Sequence, residues 1–336
     1  MFSLRAPGFW WRRAGATAAL LYPAGAIYGA VAGWRLSTAG GYRSRVPVIC
    51  IGNPTLGGAG KTPAAIAIGS WLQQQNKKVF FLTRGYGGSE AGPLRVDLSS
   101  HDARSIGDEA PLLAAIGPTI VAHDRAAGAR LAEQQGADLV LMDDGFQNPS
   151  LAKDFSLLVI DGAKGLGNGL VFPAGPLRAP IMSQFSRAQA MLVIGEGEPG
   201  RRAARIAMGY GMPIFTAKLE PEPASAAELQ GRRVFAYAGI GSPEKFFHSL
   251  EAAGAIVAGW KSFGDHHRYS EADADELLHK AESGGFDLVT TEKDLARMRG
   301  DDGLLKLHAD SKVLRVHLSI DNEDEFFATI NNSLKF

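Results

Sequence analysis

The residue types best suited to chemistry begin with a glycine-rich segment from Thr55 to Pro63, TLGGAGKTP. It follows an apolar run and precedes a helix-like pattern, which is the strand, loop and helix order of a phosphate-binding loop. In such a loop, backbone N–H groups converge on phosphate oxygens, a lysine contacts the β- and γ-phosphates, and a threonine hydroxyl binds Mg²⁺. The residues predicted to bind ATP here, with the lysine also catalytic, are Thr55, Leu56, Gly57, Gly58, Ala59, Gly60, Lys61 and Thr62.

The loop departs from the strict phosphate-loop pattern at one position. The pattern places a glycine five residues before Gly60, where this chain has Thr55. Glycines next to Lys61 still allow backbone amides to form a nest for an anion. A glycine-rich turn with a chance GKT triplet is the alternative, but the strand before it and the helix after it favour a nucleotide site.

A pair of carboxylates, Asp143 and Asp144, ends an apolar run within DLVLMDDGFQ, residues 138–147. If this run is a strand, the pair lies at the carboxyl edge of the sheet, where the phosphate loop also opens. One of the two is expected to hold Mg²⁺ together with Thr62, and Gln147 is expected beside the nucleotide or the metal. An aspartate after a strand is by itself more often a turn or cap residue, so the metal prediction depends on the loop.

The composition indicates a globular chain that does not bind nucleic acid. Of its 336 residues, 46% are hydrophobic and 21% are charged, which allows a large core and suits two domains better than one. Lys plus Arg and Asp plus Glu both number 35, so no net field draws the chain to nucleic acid. The single cysteine, Cys50, excludes an internal disulfide and favours a reducing compartment. We predict no obligate protein partner.

The N-terminal segment is the part of the sequence that suits a membrane. No residue from Ala14 to Trp34 is charged, and a helix of this length would extend about 31 Å, close to one hydrocarbon core. Trp10, Trp11 and Trp34 suit an interfacial position. A signal peptide, a buried core helix and a helix that lies in the interface are the alternatives, and Pro23 weakens a full span.

Three glycines at four-residue spacing, Gly25, Gly29 and Gly33, share one face of that helix. Such a face permits close contact with another element, although chance spacing in an Ala/Gly-rich helix is the simpler explanation. Arginines flank the segment on both sides, so charge does not decide its orientation. The nucleotide site that follows favours catalytic domains in the cytoplasm.

Short apolar runs alternate with helix-like patterns after this segment. The runs predicted to be strands are 46–52, 78–84, 119–124, 138–144, 156–162 and 190–195. They are rich in Val, Ile and Leu and lack polar alternation, which is typical of strands covered on both faces. Helix-like spacing is found at 62–75, 108–116 and 125–135.

These elements predict an α/β chain with a doubly wound, mostly parallel sheet of the P-loop NTPase type. A composition change at 221–233 marks a boundary, and a shorter βα pattern follows it. Its predicted strands are 233–241, 255–263, 287–294 and 312–318, with helices from Pro243, Ser270 and Asn322. We predict a membrane-anchoring helix at 1–36, a P-loop domain at 37–225 and a smaller α/β domain at 226–336.

Seven motifs occur in an order that resembles the tetraacyldisaccharide 4'-kinase family of lipid A biosynthesis. They are GGAGKTP, TRGYGG, SIGDEA, DDGFQ, PAGPLR, FGDHHRY and TEKD, and the similarity runs from the N-terminal apolar segment to about residue 299. GKT alone would be weak evidence, but the ordered set is specific. The resemblance implies Mg-ATP-dependent phosphorylation of the 4'-hydroxyl of a tetraacylated glucosamine disaccharide 1-phosphate. The product would be lipid IVA, made at the cytoplasmic face of the inner membrane.

The resemblance also implies roles that spacing leaves open. Asp108 in SIGDEA matches the catalytic base, and His266 in FGDHHRY matches the histidine that orients this base or tunes its pKa. An aspartate that opens a helix is otherwise an ordinary cap, and a loop histidine is often merely solvated. His267 is the adjacent alternative, and Asp265 could serve either histidine. Since His266 comes from the second domain, catalysis would need the two domains to close on one another.

Further candidates follow the ends of strands. Arg84 and Tyr86 come after the second strand and Arg125 after the third, and all three are predicted to bind substrate. A cap or surface role for Arg125 is the open alternative. Arg178 in PAGPLR is expected near the nucleotide, and TEKD, Thr291–Asp294, is interpreted as a structural helix start.

Two departures from the family pattern leave these candidates untouched. Ala179 stands where the family usually has Glu, and Asn148 stands where it usually has His, so an active enzyme is still expected. Two other classes share the loop and the acidic pair: a membrane-docked ATPase switch without an acceptor, and a soluble ligase of the dethiobiotin synthetase type. The apolar segment disfavours the ligase, and the destination of the γ-phosphate distinguishes a kinase from a switch.

Overall fold

The computed structural model describes residues 6–38 and 40–334. Its strands are, in chain order, β1 (Val48–Gly52), β2 (Val79–Thr83), β3 (Leu94–Arg95), β4 (Thr119–Val121), β5 (Leu139–Asp143), β6 (Phe155–Asp161), β7 (Ala190–Ile194), β8 (Ile214–Pro221), β9 (Arg233–Ala238), β10 (Ile256–Ser262), β11 (Asp287–Thr290), β12 (Ser311–Val313) and β13 (Val316–Ile320). Its α-helices are α1 (Ala16–Ser37), α2 (Lys61–Gln74), α3 (Ala103–Ile106), α4 (Ala110–Ala114), α5 (Arg125–Gln134), α6 (Ile181–Phe185), α7 (Glu198–Met208), α8 (Pro223–Leu229), α9 (Pro243–Ala252), α10 (Glu271–Gly284), α11 (Glu292–Met298), α12 (Leu305–Asp310) and α13 (Glu323–Leu334). The first five residues of the predicted anchoring segment and the last two of the predicted C-terminal domain lie outside the described residues.

The larger sheet has nine strands in the order β13-β8-β7-β6-β1-β5-β2-β4-β3. Its inner strands pair in parallel, and only the edge strands β3 and β13 pair antiparallel. The six predicted apolar runs form β1, β2, β4, β5, β6 and β7, which confirms the predicted fold class.

Helices cover both faces of this sheet, which explains why its strands lack polar alternation. Ile49 and Ile51 of β1 enter a core shared with α2 and α13. Val48 and Cys50 point to the opposite face and enter a second core shared with α5 and α7. Because both faces are buried, every residue of the strand is apolar or small.

The central position of β1 brings the two parts of the predicted nucleotide site together. β1 pairs on one side with β6 and on the other with β5, where Ile51 is in register with Asp143. The phosphate loop after β1 and the acidic end of β5 therefore open at the same carboxyl edge of the sheet.

A second, four-stranded parallel sheet has the order β10-β9-β11-β12. Its strands begin at 233, close to the composition change that predicted a boundary. The segment 312–318, predicted as one strand, is two: β12 ends the small sheet, and β13 crosses back to pair with β8 in the large one.

The C-terminal segment therefore differs from the prediction that 226–336 form one domain. Phe326, Phe327 and Ile330 of α13 pack into the same core as Ile49, and the ring of Phe327 stacks on Trp71 of α2 at 4.2 Å. Burial of this aromatic face on the large sheet draws the end of the chain away from the small sheet. The pattern of strands and helices alone does not reveal which sheet each one joins.

Helix α1 is the one helix within the described residues that is long and apolar enough to cross a membrane. Only 17% of its most apolar window is buried, so it is not a core helix of the protein. Its glycine face packs on the segment 171–183. A Cβ atom at Gly25 would lie 2.9 Å from the Val171 carbonyl oxygen, and one at Gly33 would lie 3.3 Å from Ser183 Oγ. The glycine spacing thus serves close packing, against the expectation of chance spacing.

The tryptophans near α1 divide into two kinds. Trp34 is 65% exposed, as an interfacial residue would be. Trp10, also predicted at the interface, is only 6% exposed, and its Nε1 donates to the Pro173 carbonyl at 3.0 Å. Its ring meets Phe172 edge-on at 6.0 Å, so Trp10 fastens the N-terminal segment to the protein itself.

Candidate active site

The glycine-rich loop after β1 is shaped by backbone conformations that only glycine adopts easily. Gly57 and Gly60 have φ angles of 105° and 88°, in the left-handed region. The side-chain amide of Asn53 donates to the carbonyls of Thr55 at 2.6 Å and Gly57 at 3.1 Å, which holds the curve of the loop. A Cβ atom at Gly60 would also lie 2.7 Å from Ile194 Cδ1. The loop is therefore a braced turn immediately before helix α2.

The two adjacent carboxylates at the end of β5 have different partners. Thr62 Oγ1 donates to Asp143 Oδ2 at 3.0 Å, while Asp143 Oδ1 is buried and has no hydrogen-bond partner among the described residues. Asp144 faces Lys61, whose Nζ lies 3.6 Å from Oδ2, and it accepts two hydrogen bonds from Arg178 at 3.1 and 3.2 Å. The sequence did not indicate which aspartate would bind the metal and which would pair with the lysine. The contacts distinguish the two, because Asp143 is bonded to Thr62 and Asp144 is paired with Lys61 and Arg178.

The surrounding charges shift the pKa values of the two carboxyl groups in opposite directions. Burial, followed by the negative charge of Glu109, raises the pKa of Asp143 to about 7. Burial also disfavours ionised Asp144, but the positive charges of Lys61 and Arg178 outweigh it and lower the pKa of Asp144. Asp144 is thus the counter-ion of the loop lysine.

The donor set at Asp143 fits Mg²⁺. This ion takes one or two carboxylates and a hydroxyl, and completes its shell with phosphate oxygens and water. Thr62 supplies the hydroxyl, and Asp143 Oδ1 is a buried carboxylate oxygen without a partner in the described part of the chain. A cation there would stabilise the charged form that burial disfavours. Asp143 is therefore the better candidate for the metal, with Asp144 beside it.

Arg178 and Gln147, both predicted near the nucleotide, donate hydrogen bonds to backbone carbonyls of the loop segment. Arg178 Nε donates to the Thr55 carbonyl at 3.0 Å. Gln147 Nε2 donates to the Asn53 carbonyl at 3.0 Å and to Gln184 Oε1 at 3.1 Å. Both side chains also line the cleft into which the loop opens, so they are placed to fix the loop and to border the nucleotide.

Asp108, next to the large sheet, and His266, next to the small sheet, are in contact. His266 Nδ1 lies 3.0 Å from Asp108 Oδ2. Arg297 of α11 donates to the same oxygen through Nε at 2.9 Å and also through Nη2. Burial opposes ionisation of Asp108, but the His266 hydrogen bond and the Arg297 charge outweigh it and hold the pKa of Asp108 well below its usual range. The same hydrogen bond raises the pKa of His266.

The neighbouring histidine has other partners. His267 Nε2 lies 3.1 Å from Asp273 Oδ2, and the His267 ring stacks on Phe263 at 4.5 Å. Its position belongs to the small domain, where it holds the start of α10. The contacts thus favour His266 over His267 as the partner of Asp108.

The backbone at His266 is strained. Its φ angle is 57°, which a residue with a Cβ atom adopts at a cost of about 1–3 kcal/mol. His266 N donates to the Gly239 carbonyl at 3.1 Å, and Arg297 Nη1 donates to the same carbonyl at 2.7 Å. Strain of this kind persists where surrounding contacts hold it, and it is concentrated at functional sites.

Arg297 is the residue that sequence reasoning missed. Thr291 caps α11, since its Oγ1 accepts from Asp294 N at 3.2 Å, so TEKD is a structural helix start as predicted. Arg297 lies one helical turn after the TEKD motif, and its side chain is only 6% exposed. Its Nη1 lies 2.7 Å from Asp294 Oδ1. The i,i+3 spacing of Asp294 and Arg297 was the available signal. That spacing could not reveal that the same guanidinium also donates to Asp108.

The three predicted substrate residues have different surroundings. Arg84 and Tyr86 are exposed and line the cleft, and the Tyr86 ring lies 5.4 Å from the His266 ring. Arg125 is only 2% exposed, and it donates to the backbone carbonyl of Ala122 and, at 3.5 Å, to that of Asp144. These contacts show that Arg125 supports the backbone at the ends of two strands. Its side chain also lines the cleft, and the substrate contact stays a prediction.

One cleft of about 2950 Å³ is lined by these groups. The phosphate loop, Asp108 and His266 all line it. On a further side, the lining includes Tyr28, Val31 and Arg35 of α1. Elsewhere along the same boundary, Lys245 Nζ pairs with Asp161 Oδ2 at 2.8 Å and Lys293 Nζ pairs with Glu109 Oε1 at 3.2 Å.

This arrangement defines a P-loop phosphotransferase. A phosphate nest with its lysine and a buried carboxylate faces a carboxylate–histidine pair that is able to handle the proton of an acceptor. A nucleotide hydrolase would need only the first half of such a cleft.

Relatives identify the family within that class. Residues 17–335 match the tetraacyldisaccharide-1-P 4'-kinase family, LpxK. The chain is 51% identical over 296 residues to the tetraacyldisaccharide 4'-kinase of Methylobacterium sp. (strain 4-46), covering 88% of this chain and 89% of the relative. It is 47% identical over 320 residues to that of Nitrobacter winogradskyi, covering 95% of each. The chain therefore belongs to the tetraacyldisaccharide 4'-kinase family.

A solved structure agrees with this assignment. LpxK from Aquifex aeolicus, crystallised in complex with ATP, superposes with a TM-score of 0.74 at 25% identity, covering 94% of this chain and 99% of that one. The family match supports the kinase prediction rather than the ATPase switch.

Proposed function

We propose that this chain transfers the γ-phosphoryl group of ATP to the 4'-hydroxyl of a tetraacylated glucosamine disaccharide 1-phosphate, giving lipid IVA. The observation that carries the proposal is the shared cleft. The phosphate loop, the Asp108–His266 pair and the apolar helix α1 all border one space. An acceptor with a reacting hydroxyl and several acyl chains would use all three surfaces.

The nucleotide end of the cleft chiefly neutralises charge. Phosphoryl transfer passes through a loose transition state, so positioning and electrostatic stabilisation dominate. Backbone amides of the loop and Lys61 would bind the triphosphate, with Asp144 and Arg178 holding the lysine and the loop in place. Thr62 and Asp143 would hold Mg²⁺, which would supply further positive charge to the triphosphate.

The Asp108–His266 pair would take the proton that the acceptor hydroxyl loses. Such a proton transfer typically contributes about 10²- to 10⁴-fold to the rate. Because the two residues lie next to different sheets, the pair would be complete only when these two parts of the chain are in contact.

Arg84 and Tyr86 are the side chains we assign to the acceptor. Arg84 is exposed at the edge of the cleft, where a guanidinium can bind a phosphate group in a bidentate way. Tyr86 lies beside His266 with 63% of its surface exposed, so its ring is available for a sugar or acyl contact.

We place the chain at the inner membrane with its catalytic domains on the cytoplasmic side. The outward face of α1 carries large exposed apolar side chains, Leu20, Ile27, Val31 and Trp34. A substrate with four acyl chains leaves a bilayer only at high cost, so the enzyme must reach it there. The need for ATP supports the cytoplasmic side.

The test is an assay with γ-labelled ATP, Mg²⁺ and detergent-dispersed tetraacyldisaccharide 1-phosphate, read by chromatography of the lipid. The wild-type chain should move label to the lipid, and Lys61→Ala should not. Label that appears only as free phosphate would exclude the kinase and point to an ATPase without an acceptor.

A further inference from the structure

Lys293 is a cation of the cleft that lies next to the small sheet and pairs with a residue next to the large one. It stands in the first turn of α11, directly after β11, and its side chain lines the cleft with 29% of its surface exposed. Its Nζ donates to Glu109 Oε1 at 3.2 Å, and Glu109 immediately precedes α4. The ion pair therefore joins two distant segments of the chain at the cleft.

The position of Lys293 in its helix requires anionic partners. The first turn of a helix carries a partial positive charge, which favours acidic side chains and disfavours a lysine. Burial and the positive charge of Arg297 also oppose the charged form of Lys293. The negative charges of Glu109, Asp108 and Asp143 outweigh both and raise the pKa of Lys293. The ammonium is therefore kept charged by three carboxylates that surround it.

Two of these carboxylates belong to opposite ends of the proposed reaction. Asp143, which accepts a hydrogen bond from Thr62, lies at the nucleotide end. Asp108, paired with His266, lies at the acceptor end. The transferred phosphoryl group must pass from the first end to the second, and the charge of Lys293 acts on both carboxylates. The ammonium therefore lies close to the path of that group.

The Lys293 ammonium has donors available for a phosphate group, whereas the nearby Arg297 guanidinium does not. Arg297 donates to both Asp108 and Asp294. In the described part of the chain, the Lys293 ammonium has one hydrogen-bond partner, Glu109, although an ammonium has three N–H donors. Its flexible four-carbon stem allows the other donors to turn towards phosphate oxygens.

We propose that Lys293 is a further catalytic residue, whose ammonium binds non-bridging oxygens of the γ-phosphoryl group as this group moves to the acceptor. This inference rests on the proposed function and adds a cation from the segment that follows β11. As the acceptor oxygen forms its bond to the γ-phosphorus, the bond from this phosphorus to the bridging oxygen breaks, and ADP leaves with that electron pair. The hydroxyl proton goes to the Asp108–His266 pair, and Lys293 keeps its own protons.

A cation at this place suits the charge distribution of the transition state. In a loose transition state the charge is spread over the three equatorial oxygens of the phosphoryl group, so a preorganised cation beside them lowers the barrier. Because Lys293 lies next to the small sheet, this cation reaches the nucleotide only when the two parts of the chain are in contact. Removal of one such donor typically lowers kcat by about 10²- to 10³-fold.

The test compares binding of MgADP alone with binding of MgADP plus aluminium fluoride, which mimics the transferred phosphoryl group. Calorimetry in detergent measures both affinities for the wild type, Lys293→Met and Lys293→Gln. The wild type should bind ADP more tightly when aluminium fluoride is present. Both variants should bind ADP alone as the wild type does, which shows that they are folded, and should lose about tenfold or more of the tightening. Lys293→Gln keeps a donor for Glu109, so it serves if Lys293→Met does not fold.

Arg104 provides the matched control, because it pairs with Asp301 after α11 and its side chain is 62% exposed. Arg104→Met should keep the tightening. In lipid phosphorylation, Lys293→Met should lose about 10²- to 10³-fold in kcat with little change in the KM for ATP.

The proposal is overturned if the wild type shows no tightening, if the folded Lys293 variants keep it, or if Arg104→Met loses it as well. Lys293 would then be only the ion-pair partner of Glu109. Failure of the proposed function is a separate result, because the binding measurement needs no lipid, whereas that failure is a wild type that places no label in the lipid.

Discussion

Replacement of Arg297 by Met should strongly destabilise the folded protein, because it strips two buried carboxylates of the cation that they share. The guanidinium lies between Asp108 and Asp294, which are 5% and 0% exposed. Methionine keeps much of the volume but removes every donor. Both carboxylates would then remain buried without that cation, and the Gly239 carbonyl would lose a hydrogen bond of 2.7 Å.

The size of the expected loss in unfolding free energy follows from the burial of the ion pairs that Arg297 makes. Removal of one partner from a buried ion pair costs about 3–5 kcal/mol, because the other charge stays desolvated. An exposed pair is worth about 0–1 kcal/mol. Arg201 and Glu198 form such an exposed pair, with side chains 61% and 63% exposed. Arg201→Met is therefore the matched control and should change the free energy of unfolding by less than about 1 kcal/mol.

The unfolding free energy lost in Arg297→Met should increase with pH. The folded pKa of Asp108 lies below its unfolded value, so the ionised group stabilises the fold above about pH 4, and this contribution disappears as the pH falls through the folded pKa. Without Arg297 the folded pKa of Asp108 rises. The deficit of Arg297→Met should accordingly be larger at pH 8 than at about pH 3, because protonation of Asp108 in the folded variant relieves the buried charge at the lower pH.

Urea unfolding in detergent, followed by tryptophan fluorescence and far-UV circular dichroism, measures this difference. Coincident transitions from the two signals would justify a single free energy of unfolding. If Arg297→Met and Arg201→Met unfold at the same urea concentration at pH 8, the guanidinium does not stabilise the buried carboxylates and the electrostatic reasoning is wrong.

Three further changes test other parts of the molecule. Lys61→Ala should abolish lipid phosphorylation, because the loop loses the cation that binds the phosphates, while the circular dichroism spectrum shows that the fold is kept. Retained turnover would contradict its role. Asp143→Asn should raise the Mg²⁺ concentration for half-maximal activity, and an unchanged Mg²⁺ titration would exclude Asp143 as its ligand. Gly25→Val should lower the free energy of unfolding by about 1–3 kcal/mol, seen as a lower melting temperature, because a Cβ atom meets the Val171 carbonyl at 2.9 Å. Gly15→Ala, which has open space around it, is the control, and equal melting of both variants would show that α1 does not pack as described.

The parts of the site that follow directly from local sequence were predictable. The phosphate loop needs glycines at particular turns and a lysine at the start of a helix, and these requirements are met within nine residues. The apolar runs of the large sheet are visible for a similar reason, since a strand buried on both faces excludes polar residues throughout. The order of the motifs then added the family and, by resemblance, Asp108 and His266.

Other features depend on which distant surfaces pack together. The pattern of 312–318 indicated a strand, but only the packed chain divides it between two sheets and returns α13 to the large one. Likewise, Asp143 and Asp144 look alike in sequence. Their different roles come from Thr62 on one side and Arg178 on the other.

Local order along the chain was therefore enough to establish the fold class, the phosphate loop and the family. Tertiary packing alone decided that Arg297, which stands 189 positions from Asp108, binds the same carboxylate oxygen as His266. The physical reason is the separation along the chain over which each effect acts. Backbone conformation and hydrophobic periodicity act over a few residues. A hydrogen bond between distant segments forms only when both segments have folded and are in contact.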